Sequence, residues 1–243
     1  MRIAWVVASW FLCAGLSYAW AEEIFAFLLA PAIEALGSDA SLQSIAPTEI
    51  FFTYIKSALL AGFILSLPMF FWHAWAFVSP GLYEGERRFV VPFVCASTLL
   101  FAGGSIFGYT IVFPIIFDFF SSFTSEFVVS AWTMREVFSL TTRLFLAFGV
   151  AFELPLLVFF LAIAGVVTAK QLLAFTPYAV LCVFIAAAVL TPPDVVSQLF
   201  LAVPMIALYL LGVGAAFLVG KKDAGDATTE GSTDVTTRNT PDD

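Results

Sequence analysis

The chain has 243 residues, of which 61% are hydrophobic and only 12% charged, and a water-soluble domain of that length cannot hide so much apolar surface in one core. Its solvent must be lipid, which excludes an enzyme built around a soluble active site. Most of the formal charge of -8 belongs to the first polar segment and to the C-terminal tail.

A helix rising about 1.5 Å per residue needs about 20 apolar residues to cross a hydrocarbon core of roughly 30 Å. Six runs meet that length. The first extends from Ile3 to Ala21, the second from Ser57 to Tyr83 and the third from Phe89 to Phe117. The fourth follows Arg143 and continues to Ala169 with one carboxylate, Glu153, inside it. The fifth (Gln171 to Pro193) and sixth (Val195 to Gly220) are divided only by Thr191-Pro192-Pro193-Asp194, so they read as a short helical hairpin with Pro192, Pro193 and Asp194 as its structural turn. The expectation is an all-α integral membrane fold with six transmembrane helices over residues 1–220. From Lys221 the sequence is rich in Asp, Thr and Gly and lacks the apolar residues needed to offset the entropy of ordering, which predicts a disordered cytoplasmic tail over 221–243.

Lys and Arg near helix ends are retained on the cytoplasmic face. Six spans put both termini on one side, and with that side inward the cytoplasmic segments hold Arg2, Arg87, Arg88, Lys170, Lys221, Lys222 and Arg238. Only Lys56, Arg135 and Arg143 remain outside, so the count predicts an N-in, C-in topology. A rival reading makes the N-terminus a cleaved signal peptide, since Ala19-Trp20-Ala21 has the small-x-small form of a cleavage site. Trp20 is bulky for that role, and either outcome leaves Glu22 outside.

Glu153 is the residue hardest to explain as packing. It follows Arg143 by ten residues, about 15 Å of helix, which puts it near the bilayer midplane. A charged group there costs near 3 kcal/mol on insertion scales, so it should be protonated, hydrogen-bonded within the bundle or offered to a partner helix. Pro155 removes a backbone donor next to it and bends the helix at this depth. The alternative is an internally satisfied structural carboxyl, with Gln198 as a possible partner if the last hairpin is sunk into the bilayer. His73, flanked by Trp72 and Trp75, reads as an interfacial residue. Cys13, Cys95 and Cys182 lie singly in different runs and suggest neither a metal site nor a disulfide framework. No GxxxxGK[ST], HExxH or GxSxG occurs, so nucleotide hydrolysis, zinc proteolysis and serine hydrolysis lack their groups. No cofactor is expected.

The first cytoplasmic loop, Pro80-Gly81-Leu82-Tyr83-Glu84-Gly85-Glu86-Arg87-Arg88, has charges that sum to zero. It can recognise a cationic ligand only at contact distance, through a carboxylate accepting two bonds from a guanidinium. Alternatively, Arg87 and Arg88 are topology anchors balanced by Glu84 and Glu86.

Several of these segments together carry a family likeness. They are Phe77-Val78-Ser79-Pro80-Gly81-Leu82-Tyr83 with Glu86-Arg87-Arg88, then Phe107-Gly108-Tyr109 with Pro114, then Phe148-Gly149-Val150-Ala151-Phe152-Glu153-Leu154-Pro155, and last Leu190-Thr191-Pro192-Pro193-Asp194 with Ser197-Gln198 and Pro204-Met205. In order and spacing, from Leu28 to Leu211, the chain resembles the TatC family, the core receptor of the twin-arginine protein translocase. The resemblance implies a cup-shaped six-helix bundle in the inner membrane. It would bind twin-arginine signal peptides of folded cargo, recruit TatA- and TatB-type single-span partners, assemble as a homo-oligomeric receptor complex and use the proton-motive force. Glu86 matches the family glutamate that meets the arginine pair, with Leu82, Tyr83, Glu84 and Arg87 of the same loop beside it. Glu153, Gln198 and Met205 match positions implicated in partner-helix contact, and Asp194 matches the acid of the outer turn. No nucleic acid is implied.

The sequence departs from the family where members begin with a short amphipathic helix carrying a second glutamate. Here Arg2 leads directly into the first span, so either the native start lies upstream of Met1 or another acid substitutes, with Glu84 the nearest candidate. A second reading of the residues is a proton-coupled small-molecule transporter using Glu153. It would fit an internal repeat with paired broken helices, and none is visible. A third reading is a scaffold that gathers other membrane helices.

Overall fold

The computed structural model describes residues 2–36, 42–78, 90–123, 132–191 and 194–230, without the side chains of 77–78, 90 and 219–230. The described residues are helical almost throughout: α1 (Arg2–Ser17), α2 (Ala21–Leu36), α3 (Pro47–Val78), α4 (Val90–Phe107), α5 (Phe113–Ser121), α6 (Met134–Ile163), α7 (Ala169–Leu190) and α8 (Val195–Glu230). A short 3-10 turn at Tyr18–Trp20 joins α1 to α2, and a π-turn at Gly108–Val112 joins α4 to α5. The described residues contain six rods long and apolar enough to cross a bilayer: Arg2–Leu36, Pro47–Ala76, Val91–Ser121, Met134–Ile163, Ala169–Leu190 and Val195–Leu218.

The first four rods have 30 to 35 residues, or about 45–52 Å, and overshoot a core of roughly 30 Å. The last two, at 22 and 24 residues, come close to matching it. The largest departure from the sequence reading is at the first span, where the helix does not stop at Ala21 but continues to Leu36. Local chemistry explains the continuation. Glu22 and Glu23 stand in the first turn of α2, where negative charge suits the helix dipole, and the segment after them is apolar. Pro31 lies inside α2 and has no N–H to give to Phe27 O, four residues back. The hydroxyl of Tyr109 donates to that carbonyl instead, with the Tyr109 and Phe27 rings stacked at 4.7 Å. α2 is thereby fastened to the region around α5.

α6 is the centre of the bundle and packs most extensively against α8 and α4. Its inward residues Leu144, Phe148 and Ala151 meet Phe113, Ile116 and Phe117 of α5 and Leu201, Ala202 and Met205 of α8 in the main core. Apolar attraction between helices is weak in lipid, so close backbone approach matters more. Small residues provide it at two seams. A Cβ on Gly62 would collide with the backbone of Ala14 and hold α1 away from α3, while a Cβ on Gly104 would meet Phe148 O and hold α4 away from α6.

The last two helix starts are also specified locally. Thr168 and Gln171 form a reciprocal capping box at α7. At α8, Asp194 Oδ1 accepts from the N–H of Ser197 at 2.7 Å, making Asp194 its N-cap. The α8 backbone is helical through Glu230, beyond the Gly220 boundary read from the sequence.

Candidate functional site

One face of α6 repeats every three or four residues through Arg135, Ser139, Thr142, Leu146, Val150, Glu153 and Leu157, the spacing of a single helical stripe. The stripe borders cavities whose other walls come chiefly from α3. Its most unusual residue is Glu153, ten residues from Arg143 and ten from Ile163 at the helix end, or about 15 Å either way. α6 starts nine residues before Arg143, so Glu153 lies 19 residues, about 28 Å, from its first residue Met134.

Glu153 is half-buried and lines a cavity of about 320 Å³ with Phe70, Phe71, Ala74 and Trp75 of α3, Ser97 of α4 and Phe160 of α6. Its Oε1 is buried and has no hydrogen-bond partner among the described residues. Trp75 Nε1 donates to the fully buried Ser97 Oγ at 3.0 Å, and the Trp75 ring stacks on Phe93 at 4.7 Å and meets Phe160 edge-on. The indole N–H is thereby satisfied, while the Ser97 hydroxyl keeps its own proton to donate and lies in the same wall as the Glu153 carboxyl. An acid in such a place can accept a hydrogen bond from an incoming polar group or, once protonated, donate one.

The suggested pairing of Glu153 with Gln198 does not form. Gln198 Nε2 donates to Phe184 O at 3.0 Å, across the final hairpin, and no α8 residue lines the Glu153 cavity. The reason is geometric: the amide reaches the adjacent α7 carbonyl, which satisfies it within its own hairpin. Met205, matched by resemblance to a partner contact, points into the main core with 8% of its surface exposed. Asp194 keeps one oxygen for its cap while Oδ2 is buried without a partner among the described residues. Leu82, Tyr83, Glu84, Glu86 and Arg87, and also Pro192 and Pro193, lie outside the described residues. Arg2 Nη1 donates to Ala76 O at 3.0 Å, so the chain start and the end of α3 lie together. His73 is half-buried and its Nε2 lacks a partner among the described residues.

Two features escaped the sequence reading. One is the Trp75–Ser97 pair. The other is Glu49, whose Oε2 accepts from the N–H of Ile45 at 3.0 Å and whose Oε1 accepts from the N–H of Arg135 at 2.9 Å. The Arg135 donor is one of the orphan groups of the first turn of α6, so Glu49 caps α6 from the start of α3. A parallel bridge between Gln43 and Thr133 runs beside it. A glutamate in the first turn of a helix signals only local dipole compensation, and nothing in the sequence points to a partner 86 residues away.

Comparison with known proteins agrees with this architecture. A family model described as Sec-independent protein translocase protein (TatC) matches residues 1–204. The chain is 42% identical over 231 residues to the Sec-independent protein translocase protein TatC of Desulforapulum autotrophicum, covering 91% of this chain and 86% of that protein. It is 38% identical over 212 residues to the Escherichia coli TatC, covering 87% and 81%. A crystal structure of the twin arginine translocase receptor TatC superposes with a TM-score of 0.82 at 32% identity, covering 89% of this chain and 95% of that one. These relatives are named as protein translocase components. A six-span helical bundle, an intramembrane glutamate and this breadth of similarity lead to one conclusion: the chain belongs to the TatC family of Sec-independent protein translocase proteins.

Proposed function

We propose that this protein is the signal-peptide receptor of a twin-arginine translocase, lying in the inner membrane with both termini cytoplasmic. The observation that carries the reading is Glu153: an acid inside a span, open to an apolar cleft, with its Oε1 unpartnered among the described residues. Such a group is costly unless something outside the chain meets it. A polar group on a single-span TatA- or TatB-type helix is the proposed visitor. At the inner surface, Glu86 holds the arginine pair of the signal peptide by bidentate bonds, assisted by Leu82, Tyr83, Glu84 and Arg87. The orientation is supported by the excess of Lys and Arg on that side, and the bond between Arg2 and Ala76 O puts the start of α1 and the end of α3 on the same side. Homo-oligomeric assembly and use of the proton-motive force come with the family reading.

The two acids divide the work, so each has its own test. Glu86→Gln should abolish photocrosslinking of a twin-arginine signal peptide while leaving association with a TatB-type helix intact. Glu153→Gln should weaken that association and spare the signal-peptide crosslink. Full export of folded cargo by the double variant would refute the receptor mechanism.

A further inference from the structure

A second hollow borders α6, distinct in its lining from the Glu153 cavity. It lies toward the end of the bundle away from Arg2 and comprises confluent cavities of about 640 and 750 Å³ that share Thr53, Lys56, Arg135, Ser139 and Arg143. All three cations that the sequence assigns to this side converge here, although they come from two helices. Two carboxylates, Glu49 and Glu136, line the outer cavity, so the mouth is net positive. Glu49 keeps its negative charge beside Arg135 while its oxygens accept from backbone N–H groups, so three cations against two carboxylates leave an excess of one positive charge at the mouth.

Below the cations the lining changes character. The inner cavity is walled by Trp10, Leu59, Leu60, Phe63, Leu146 and Val150. Val150 lies seven residues past Arg143, so the apolar part extends about 10 Å deeper. At the boundary sits Thr142, whose Oγ1 is buried and has no hydrogen-bond partner among the described residues.

A free anion would use the cations and leave the apolar wall unoccupied, whereas an apolar helix would cover the wall and desolvate the cations at a loss. An amphiphile with an anionic head and a hydrocarbon tail fits both. We propose that this groove seats one anionic phospholipid of the leaflet at that end. Its phosphate lies among Lys56, Arg135 and Arg143, its ester region meets the hydroxyls of Ser139 and Thr142, and one acyl chain runs along Leu59, Phe63, Leu146 and Val150. Arg forks suit phosphate oxygens, and each basic residue near an anionic headgroup contributes binding. The site is separate from signal-peptide recognition and requires only that the helices span a bilayer.

The test uses the full chain purified in detergent, with native mass spectrometry of retained phosphatidylglycerol against phosphatidylcholine of the same acyl chains. Phosphatidylglycerol should be retained in preference, and inorganic phosphate should not displace it. Lys56→Gln, Arg135→Gln and Arg143→Gln should each weaken retention about fivefold. The three side chains are exposed, so the variants should keep the wild-type circular dichroism. Phosphatidylglycerol with a photoreactive acyl chain should label α3 and α6 around Phe63 and Val150. Equal retention of both lipids, unchanged retention in the triple variant or labelling elsewhere would overturn the proposal. Displacement by phosphate alone would reduce the site to an anion site, and labelling of the groove by an acidic helical peptide with no phosphatidylglycerol labelling would assign it to a protein partner; either result also overturns it.

Discussion

The two ends of the α6 stripe make opposite use of charge. Within the span a single acid, Glu153, sits half-buried among Phe70, Phe71 and Phe160, and its Oε1 has no hydrogen-bond partner among the described residues. Toward the bundle end away from Arg2, Lys56, Arg135 and Arg143 are exposed and gather around one opening. Depth accounts for the difference. A carboxyl can become neutral by taking a proton and so tolerate an apolar cleft, whereas Arg remains charged at any accessible pH and belongs where water and headgroups reach it. The same helix face can therefore offer a hydrogen-bonding contact at one level and an electrostatic one at another.

The sharpest way to break this contrast is to put the wrong sign within the span. Glu153→Lys should destabilise the bundle by about 3 kcal/mol, read as a lower midpoint of detergent-mediated unfolding. A variant as stable as the parent would mean that the cleft is wetter than its lining implies. The next effect concerns the wall that holds α6 against α4. Gly104→Ala drives a methyl into Phe148 O and should cost about 1–3 kcal/mol, with a matching fall in Tm. Unchanged stability there would show that α4 can shift without loss and that the depth of Glu153 is loosely held. The smallest effect belongs to the outer end: Arg143→Gln should change stability by less than about 0.5 kcal/mol. A loss comparable to that of Glu153→Lys would erase the distinction between the two ends.

Much of this architecture was legible in the residues because lipid makes a simple demand. Uninterrupted apolar length marks a span, and the six runs correspond to the six rods. Glu153 stood out for the same reason, as an acid in such a run. The stopping point of the first rod was harder to read. Glu22 and Glu23 resemble the beginning of a water-exposed loop in a hydropathy reading, yet they equally suit the first turn of a new helix, and Pro31 is tolerated only because Tyr109, far along the chain, serves the freed carbonyl of Phe27. Gln198 presented a similar ambiguity: its type permits a partnership with Glu153, but the carbonyl of Phe184 across the hairpin takes its amide.

The sequence by itself determined the solvent, the number of spans, the membership of the TatC family and the one acid placed against the grain of the membrane. These follow from composition, run length and motif order, which are properties of the chain read along its length. Only the tertiary structure decided which distant groups meet: Glu49 with the start of α6, Trp75 with Ser97, and three separate cations around one groove. Those contacts depend on how helices cross and rotate against one another. That geometry is set by close approaches such as Gly62 on Ala14 and Gly104 on Phe148, which are spread over the whole bundle and carry no local sequence signal.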